Sequence, residues 1–379
     1  MADDLKNIET MPSSNVKGGC NIIIAGGGTG GHIFPAIAIA NALRKNAPGV
    51  EILFVGANGK MEMEKVPQAG YTIKGIDIEG FNRSSLIKNI ALPFKIIRSI
   101  FQVRRIVNSF KPDAVIGVGG YSSFPVLRYA QAKKIPTFIH EANSFAGKTN
   151  ILLAKKASKI FVASDGMEKF FPGYKIMITG NPVRAAILKS IGREESIQHY
   201  GLDPTKKTVL ASGGSLGAKG INEAIESDLD EFEKNDVQLI WQTGKPFAEK
   251  AKILATGRKN IWTKDFITQM EFAYGAADIV ISRAGAMAIA ELCVVKKPVV
   301  FVPFPFAAEN HQTVNAQNLV SRNAGLMISD SEAKQKLIST VMDLIKDENK
   351  QQDLISNIGK LAITNADEIV ATEILKIIK

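Results

Sequence analysis

Cysteine is nearly absent from this chain. Cys20 and Cys293 are the two in 379 residues, far apart and in no motif. That excludes a disulfide framework and leaves two buried thiols in a reducing compartment as the expectation. The four histidines have no neighbouring cysteine or carboxylate cluster, so no metal-ligand spacing exists and no metal or cofactor is expected. No run is long and apolar enough to span a membrane; the uncharged stretch 21–43 is interrupted by a glycine cluster. Residues 1–19 are polar and lack the apolar core of a signal peptide, so they are expected to form a loose leader. Negative charge is in deficit: 37 Asp and Glu against 47 Lys and Arg give a net +10. Such a balance suits an anionic partner, whether phosphates, nucleic acid or an anionic membrane surface. Nucleic-acid motifs and aromatic–basic interleaving are missing, which argues against nucleic acid.

What is present is the composition of a soluble globular protein, 45% hydrophobic and 22% charged, with length for two domains. The chain is organised around residues 21–36. An apolar strand, Asn21 to Ala25, runs into a turn of five glycines and Thr29 (26–31), then a helix expected from Ile33 with Pro35 in its first turn. Strand, glycine turn and helix aim backbone N–H groups and a helix N-terminus at an anion. His32 sits at the mouth of the turn, within reach of the same ligand.

Gly26, Gly28 and Gly31 also fit the dinucleotide fingerprint. That reading wants a carboxylate at the end of the second strand, and the chain there reads Val55-Gly56-Ala57-Asn58. A dinucleotide oxidoreductase is therefore disfavoured. A P-loop is excluded because Ala142 stands where the leading glycine of Gly147-Lys148-Thr149 belongs.

Strands are expected at 21–25, 51–55, 73–77, 114–118, 136–140, 159–163 and 176–179, separated by helical stretches. This alternation implies parallel βαβ units with sites at the carboxyl ends of strands. A second glycine turn, Gly117 to Tyr121, repeats the first, and His140-Glu141-Ala142-Asn143 closes another strand. Gly180-Asn181-Pro182-Val183-Arg184 ends the first half, and the linker falls near 182–206. The second half starts over at 208–212 with Gly213-Gly214-Ser215-Leu216-Gly217, an echo at an offset of about 187 residues. Further strands are expected at 237–242, 260–264, 279–282, 298–302 and 325–328. The chain thus reads as α/β, with two similar domains facing across a cleft. Glu291 lies among apolar neighbours in the second turn of a helix starting near Ala286; a carboxylate there suits a hydrogen-bonding task such as a ribose diol.

Residues 80–111 hold seven Lys or Arg and no Asp or Glu. Pro93 is expected to start a helix at Phe94. Ile90, Phe94, Ile97 and Phe101 recur at helical spacing, as do Ile96, Ile100, Val103 and Val107, while Lys88, Lys95, Arg98 and Arg105 share another face. An ordinary core-packed helix with a solvated basic face is one reading. Docking to anionic lipid is the other, favoured by the additional apolar residues Leu86, Ile87 and Leu92.

Gly-Gly-Thr-Gly-Gly-His (27–32), Gly-Gly-Tyr (119–121), His-Glu-x-Asn (140–143), Gly-Asn-Pro-Val-Arg (180–184), Gly-Gly-Ser-x-Gly-Ala (213–218), Ser-Arg-Ala-Gly-Ala (282–286) with Glu291, and His311-Gln312 with Asn315-Ala316 occur in this order. The set, spanning about 20–330, resembles the MurG family of bacterial peptidoglycan N-acetylglucosaminyltransferases. The resemblance implies a GT-B fold of two Rossmann-like domains. It implies inverting transfer of N-acetylglucosamine from UDP-N-acetylglucosamine to lipid I, an undecaprenyl-diphosphate-linked N-acetylmuramoyl-pentapeptide, giving lipid II. The enzyme would be peripheral on the cytoplasmic face of the bacterial plasma membrane, possible partners being other cell-wall synthesis and division proteins. Residues 20–185 would form the acceptor and membrane-docking domain, 186–364 the UDP-sugar domain, and a helix near 365–379 would pack back on the first.

By the same resemblance Ser215 touches the donor diphosphate, Ile267 the uracil and Glu291 the ribose. Ala286, Met287, Ala288, Ile289 and Ala290 line the loop, and Gln312, beside the alternative His311, faces the sugar. Thr29, Gly30, Gly31, Asn143 and Arg184 close over from the first domain. Gly27, Gly28, Gly119, Gly120 and Tyr121 would hold the acceptor diphosphate. His32 is the candidate base, since imidazole titrates near neutral pH, and Glu141 is the alternative. One departure is Ala142, where the family often has Gln. The rival functions are another GT-B enzyme (a glycolipid synthase or a UDP-N-acetylglucosamine epimerase) and a non-catalytic membrane-associated scaffold of cell-wall synthesis.

Overall fold

The computed structural model describes residues 19–80, 92–189, 191–214, 216–307 and 310–378. The first sheet contains β1 (Asn21–Ala25), β2 (Glu51–Ala57), β3 (Thr72–Ile76), β4 (Ala114–Gly117), β5 (Thr137–Glu141), β6 (Lys159–Val162) and β7 (Ile176–Ile178), in spatial order β3-β2-β1-β4-β5-β6-β7. The second contains β8 (Lys207–Ser212), β9 (Val237–Gln242), β10 (Ile261–Lys264), β11 (Ile279–Ser282), β12 (Val299–Phe301) and β13 (Leu326–Met327), in order β10-β9-β8-β11-β12-β13. All pairings are parallel.

Continuous apolar strands follow from burial on both faces. In β1, Ile22 and Ile24 join one apolar cluster and Ile23 and Ala25 the opposite one. In β8, Val209 and Ala211 face one side and Leu210 the other. Strand order reverses between β1 and β4, and again between β8 and β11. In open parallel sheets such a reversal leaves a crevice at the strands' carboxyl ends, where ligands bind.

The last helix, Ala366–Ile378, packs on the helix Gly30–Asn46. Val370, Ala371, Ile374 and Leu375 bury themselves with Ile39 and Leu43. Glu368 accepts from Lys45 at 2.7 Å and Asn46 at 2.9 Å, and Lys159 donates to Glu373.

Several boundaries differ from the expectation. The first helix begins at Gly30, so Pro35 lies in its second turn, where the missing N–H removes the bond that would close on Gly31. The basic helix is Leu92–Phe110, starting before Pro93 and placing that proline in the first turn. Val103 and Val107 enter the core, whereas Ile97 and Phe101 are 54% and 65% exposed. The acidic partners of this helix lie just upstream of the basic stretch: Lys95 pairs with Glu79 at 2.7 Å and Arg98 with Asp77 at 3.1 Å. Leu86, Ile87 and Lys88 lie outside the described residues. No helix among the described residues is long and apolar enough to cross a membrane.

Candidate active site

The two glycine turns of the first sheet pack directly on each other. Gly119 and Gly120 have φ of 96° and 84°, which L side chains rarely adopt. A Cβ on Gly120 would lie 2.5 Å from the Gly27 carbonyl oxygen, and one on Gly119 would lie 2.7 Å from His32 Nε2. Close approach of the Gly27 backbone and the His32 ring, rather than a ligand alone, therefore demands glycine here.

A carboxylate that sequence reasoning missed lies beneath the first turn. Glu62, 1% exposed, opens the helix Glu62–Gln68 after β2. It accepts from the Gly28 N–H at 2.8 Å and the Ala57 N–H at 3.0 Å. A Cβ on Gly27 would fall within 2.7 Å of its carboxylate. The Gly28 N–H, expected at an acceptor diphosphate, here meets a side-chain carboxylate of the chain itself. The strand end reads Val55-Gly56-Ala57-Asn58, and Glu62 follows four residues after Asn58.

His32 stands at the start of the first helix, with Nδ1 3.0 Å from the Gly27 carbonyl and 3.4 Å from Thr29 Oγ1. A carbonyl only accepts, so Nδ1 carries the proton and Nε2 keeps its lone pair. Burial lowers the His32 pKa, against the raising effect of Glu141, the Gly27 carbonyl and Glu62; His311 adds to the lowering. The ring is therefore neutral at neutral pH. Neighbouring His140 is buried and pushed down to about 4, chiefly by burial.

Glu141, at the end of β5, has its carboxylate occupied. Oε1 accepts from the Asn143 N–H and Nδ2 at 3.1 and 3.3 Å; Oε2 accepts from the Gly147 N–H and Asn150 Nδ2, both at 2.9 Å. The arrangement shapes the 142–147 loop and sets Asn143.

Loops from both sheets meet at these carboxyl ends. The Ser144 N–H donates to Asn315 Oδ1 at 3.2 Å, and Asn181 Nδ2 donates to the Ala142 carbonyl at 3.0 Å and the Ala286 carbonyl at 3.4 Å. Arg184 Nε and Nη2 donate to the two oxygens of Glu291 at 2.8 and 3.0 Å, and the Tyr274 hydroxyl adds a bond at 3.2 Å. Burial, then the Glu291 charge, raises the Tyr274 pKa well above the phenol range, so it remains a donor.

In the second half the helix Ala286–Val295 begins directly after β11, at the strand-order reversal. Residues 286–290 are half-buried, presenting a helix N-terminus suited to an anion. Gln242 ties the 213–218 turn to Ile267: its Nε2 donates to the Gly214 carbonyl at 3.0 Å and its Oε1 accepts from the Ile267 N–H at 2.9 Å. Gln312 Oε1 accepts from the Phe304 N–H at 3.0 Å, which ties it to its own loop. Ser215 lies outside the described residues. Among the described residues, no group of three or more His, Cys, Asp or Glu side chains is placed to hold a metal ion.

The structure therefore gathers His32, Asn143, Arg184 and Glu291 near the meeting of the two sheets. Comparison with known proteins adds the chemistry. Residues 22–162 match the glycosyltransferase family 28 N-terminal domain, and 208–369 its C-terminal domain. A protein of Phocaeicola vulgatus is 50% identical over 94% of this chain and 96% of its own length; one of Parabacteroides distasonis is 51% identical over 94% and 98%. Both are named UDP-N-acetylglucosamine–N-acetylmuramyl-(pentapeptide) pyrophosphoryl-undecaprenol N-acetylglucosamine transferase. The crystal structure of Acinetobacter baumannii MurG superimposes with a TM-score of 0.76 at 30% identity, covering 94% of this chain and 99% of that one. The chain belongs to glycosyltransferase family 28, in the MurG family of GT-B N-acetylglucosaminyltransferases.

Proposed function

We propose that the protein transfers N-acetylglucosamine from UDP-N-acetylglucosamine to the C4 hydroxyl of undecaprenyl-diphospho-N-acetylmuramoyl-pentapeptide, making lipid II. The observation that carries the residue roles is the His32 geometry: a neutral ring, Nδ1–H bound to Gly27 and Nε2 available. Nε2 takes the acceptor hydroxyl proton as that oxygen bonds to the anomeric carbon. The bond from that carbon to the diphosphate oxygen breaks, and UDP leaves with the electron pair, inverting the configuration. The helix N-terminus at Ala286 and the 213–218 turn, with Ser215, stabilise the departing diphosphate.

Residues 186–364 form the donor domain. Glu291 takes the ribose hydroxyls and Ile267 the uracil, Met287, Ala288, Ile289 and Ala290 line the site, and Gln312 faces the sugar. Thr29, Gly30, Gly31, Asn143 and Arg184 approach from residues 20–185, the acceptor domain. There the acceptor diphosphate is met by Gly119, Gly120, Tyr121 and the N-terminus of the first helix. Glu141 orders its loop rather than acting as base, because four N–H donors already occupy it. The exposed Ile97 and Phe101, with Arg98, Arg105 and the preceding Leu86, Ile87 and Lys88, bring the enzyme to an anionic, cytoplasmic membrane surface where the lipid-linked acceptor resides.

The test is incubation with labelled UDP-N-acetylglucosamine and a lipid I analogue without added metal. A labelled disaccharide product and equimolar UDP are expected. Donor binding without transfer to this acceptor overturns the proposal.

A further inference from the structure

The first glycine turn has the geometry of an anion site, yet its anion is part of the chain. Glu62 is almost fully buried, and its two oxygens are divided between two backbone donors on different elements, Gly28 after β1 and Ala57 at the end of β2. Gly27 and Gly56 leave the space it fills: a Cβ at Gly27 would lie 2.3 Å from the carboxyl carbon, and one at Gly56 2.5 Å from Cγ. Between those contacts runs the Gly27 peptide, whose carbonyl accepts the His32 Nδ1–H. An unbroken path of hydrogen bonds and peptide units therefore links Glu62 to the imidazole.

We infer that Glu62 is a positioning residue: its carboxylate fixes the 26–28 turn so that the Gly27 carbonyl holds His32 in the Nδ1–H tautomer, with Nε2 available to the acceptor hydroxyl. The inference deepens the proposed function and rests on its reading of His32 as the base. A buried carboxylate suits this task because it satisfies two backbone donors at once, through charge-assisted bonds, and stays put when substrates come and go. A diphosphate in the same place would arrive and leave with each turnover, and the ring would lose its support with it.

The titratable groups that act on His32 are Glu141 and Glu62, which raise its pKa, and His311, which lowers it; buried His140 is its neighbour, with its own pKa pushed down to about 4. Removing the Glu62 charge removes one raising influence, so the His32 midpoint moves to lower pH.

The experiment uses the full chain with isotope-labelled histidine rings, whose nitrogen shifts report tautomer and titration. In the unaltered protein the His32 ring is expected as the Nδ1–H tautomer; an Nε2–H ring overturns the inference whether or not any variant folds. Glu62→Gln keeps the shape but sets an amide NH2 against one backbone donor. It is expected to lower the His32 titration midpoint and cut kcat about a hundredfold, with the KM for UDP-N-acetylglucosamine changed less than about threefold. Glu62→Asp retains the charge but shortens the reach, so the midpoint returns towards its original value while kcat recovers only in part. A Glu62→Gln protein that folds, as judged by its melting curve, with kcat and the His32 midpoint both unchanged overturns the inference. Should His32→Ala turn over normally while the tautomer and midpoint behave as described, the base assignment fails and the positioning of the ring by Glu62 stands.

Discussion

Arg184 and Glu291, 107 residues apart, form a two-bond ion pair that joins the end of the first half to the helix behind β11. Glu291 is the carboxylate proposed for the donor ribose; under that proposal the ribose diol would share the two oxygens that accept from the guanidinium. The Arg184 guanidinium also lies 5.4 Å from the Phe34 ring centroid, which ties the pair to the first helix.

Removing one partner leaves the other charge partly buried and unpaired. Arg184→Gln and Glu291→Gln are each expected to lower stability by about 2 kcal/mol. The double variant should lose less than the sum, a non-additivity that a denaturation cycle measures. Donor titration by calorimetry should show Glu291→Gln binding UDP-N-acetylglucosamine at least about tenfold more weakly, the worth of a lost charged hydrogen bond. Additive stabilities would show that the pair is not coupled.

The pH dependence follows from burial. His32 is base-competent when neutral, and burial lowers its pKa. Activity is therefore expected to be flat through neutral pH and to fall only below the ordinary imidazole value of about 6.5. Stability carries a related signature from His140, held down to about 4. The unfolded chain takes up that proton first, so stability falls as pH drops from about 6.5 towards 4, by up to about 3 kcal/mol. Denaturation midpoints across that range should decline less steeply in His140→Leu than in the unaltered protein.

The last helix is a structural part of the first sheet's layer. Ile374 is fully buried against the first helix, and Ile374→Ala is expected to cost about 2–4 kcal/mol. A chemical denaturation curve measures this; a loss under about 0.5 kcal/mol would mean the helix packs loosely.

Membrane docking is tested on the exposed row of the basic helix. Ile97→Ser with Phe101→Ser removes its apolar part, and Arg98→Gln with Arg105→Gln its charge, worth about 1 kcal/mol per residue near an anionic surface. Sedimentation with vesicles rich in anionic lipid should show each pair weakening binding, the second pair losing its effect in high salt. Equal binding by all variants would refute docking through this face.

Much of this architecture was legible because parallel strands buried on both faces read as apolar runs such as Asn21 to Ala25, and the strand–glycine–helix units repeat in both halves. The resemblance added the order of the site motifs. Three features were hidden for physical reasons. Glu62 reaches the glycine turn through folding of β2 beside β1, and nothing in its local pattern, within Met61-Glu62-Met63-Glu64, marks one glutamate as buried. Glu141 sits in a motif that suggests chemistry, yet three of its four donors come from the loop that follows and the fourth, Asn150, from the helix Lys148–Ala154, so its structural task emerges only once that segment is folded. Asp77 and Glu79 lie just before the basic stretch, and their pairing with Arg98 and Lys95 depends on how the helix returns over β3.

The central claim is that this chain moves N-acetylglucosamine onto lipid I with His32 accepting the hydroxyl proton. The most direct test follows disaccharide formation and UDP release side by side in the unaltered protein and in His32→Ala, with donor affinity measured on both. The account predicts one β-1,4-linked disaccharide per UDP from the unaltered protein. It predicts a turnover at least about a hundredfold slower in the variant, with donor affinity kept. Unchanged turnover in His32→Ala would contradict the base assignment, and epimerised sugar in place of disaccharide would contradict the reaction itself.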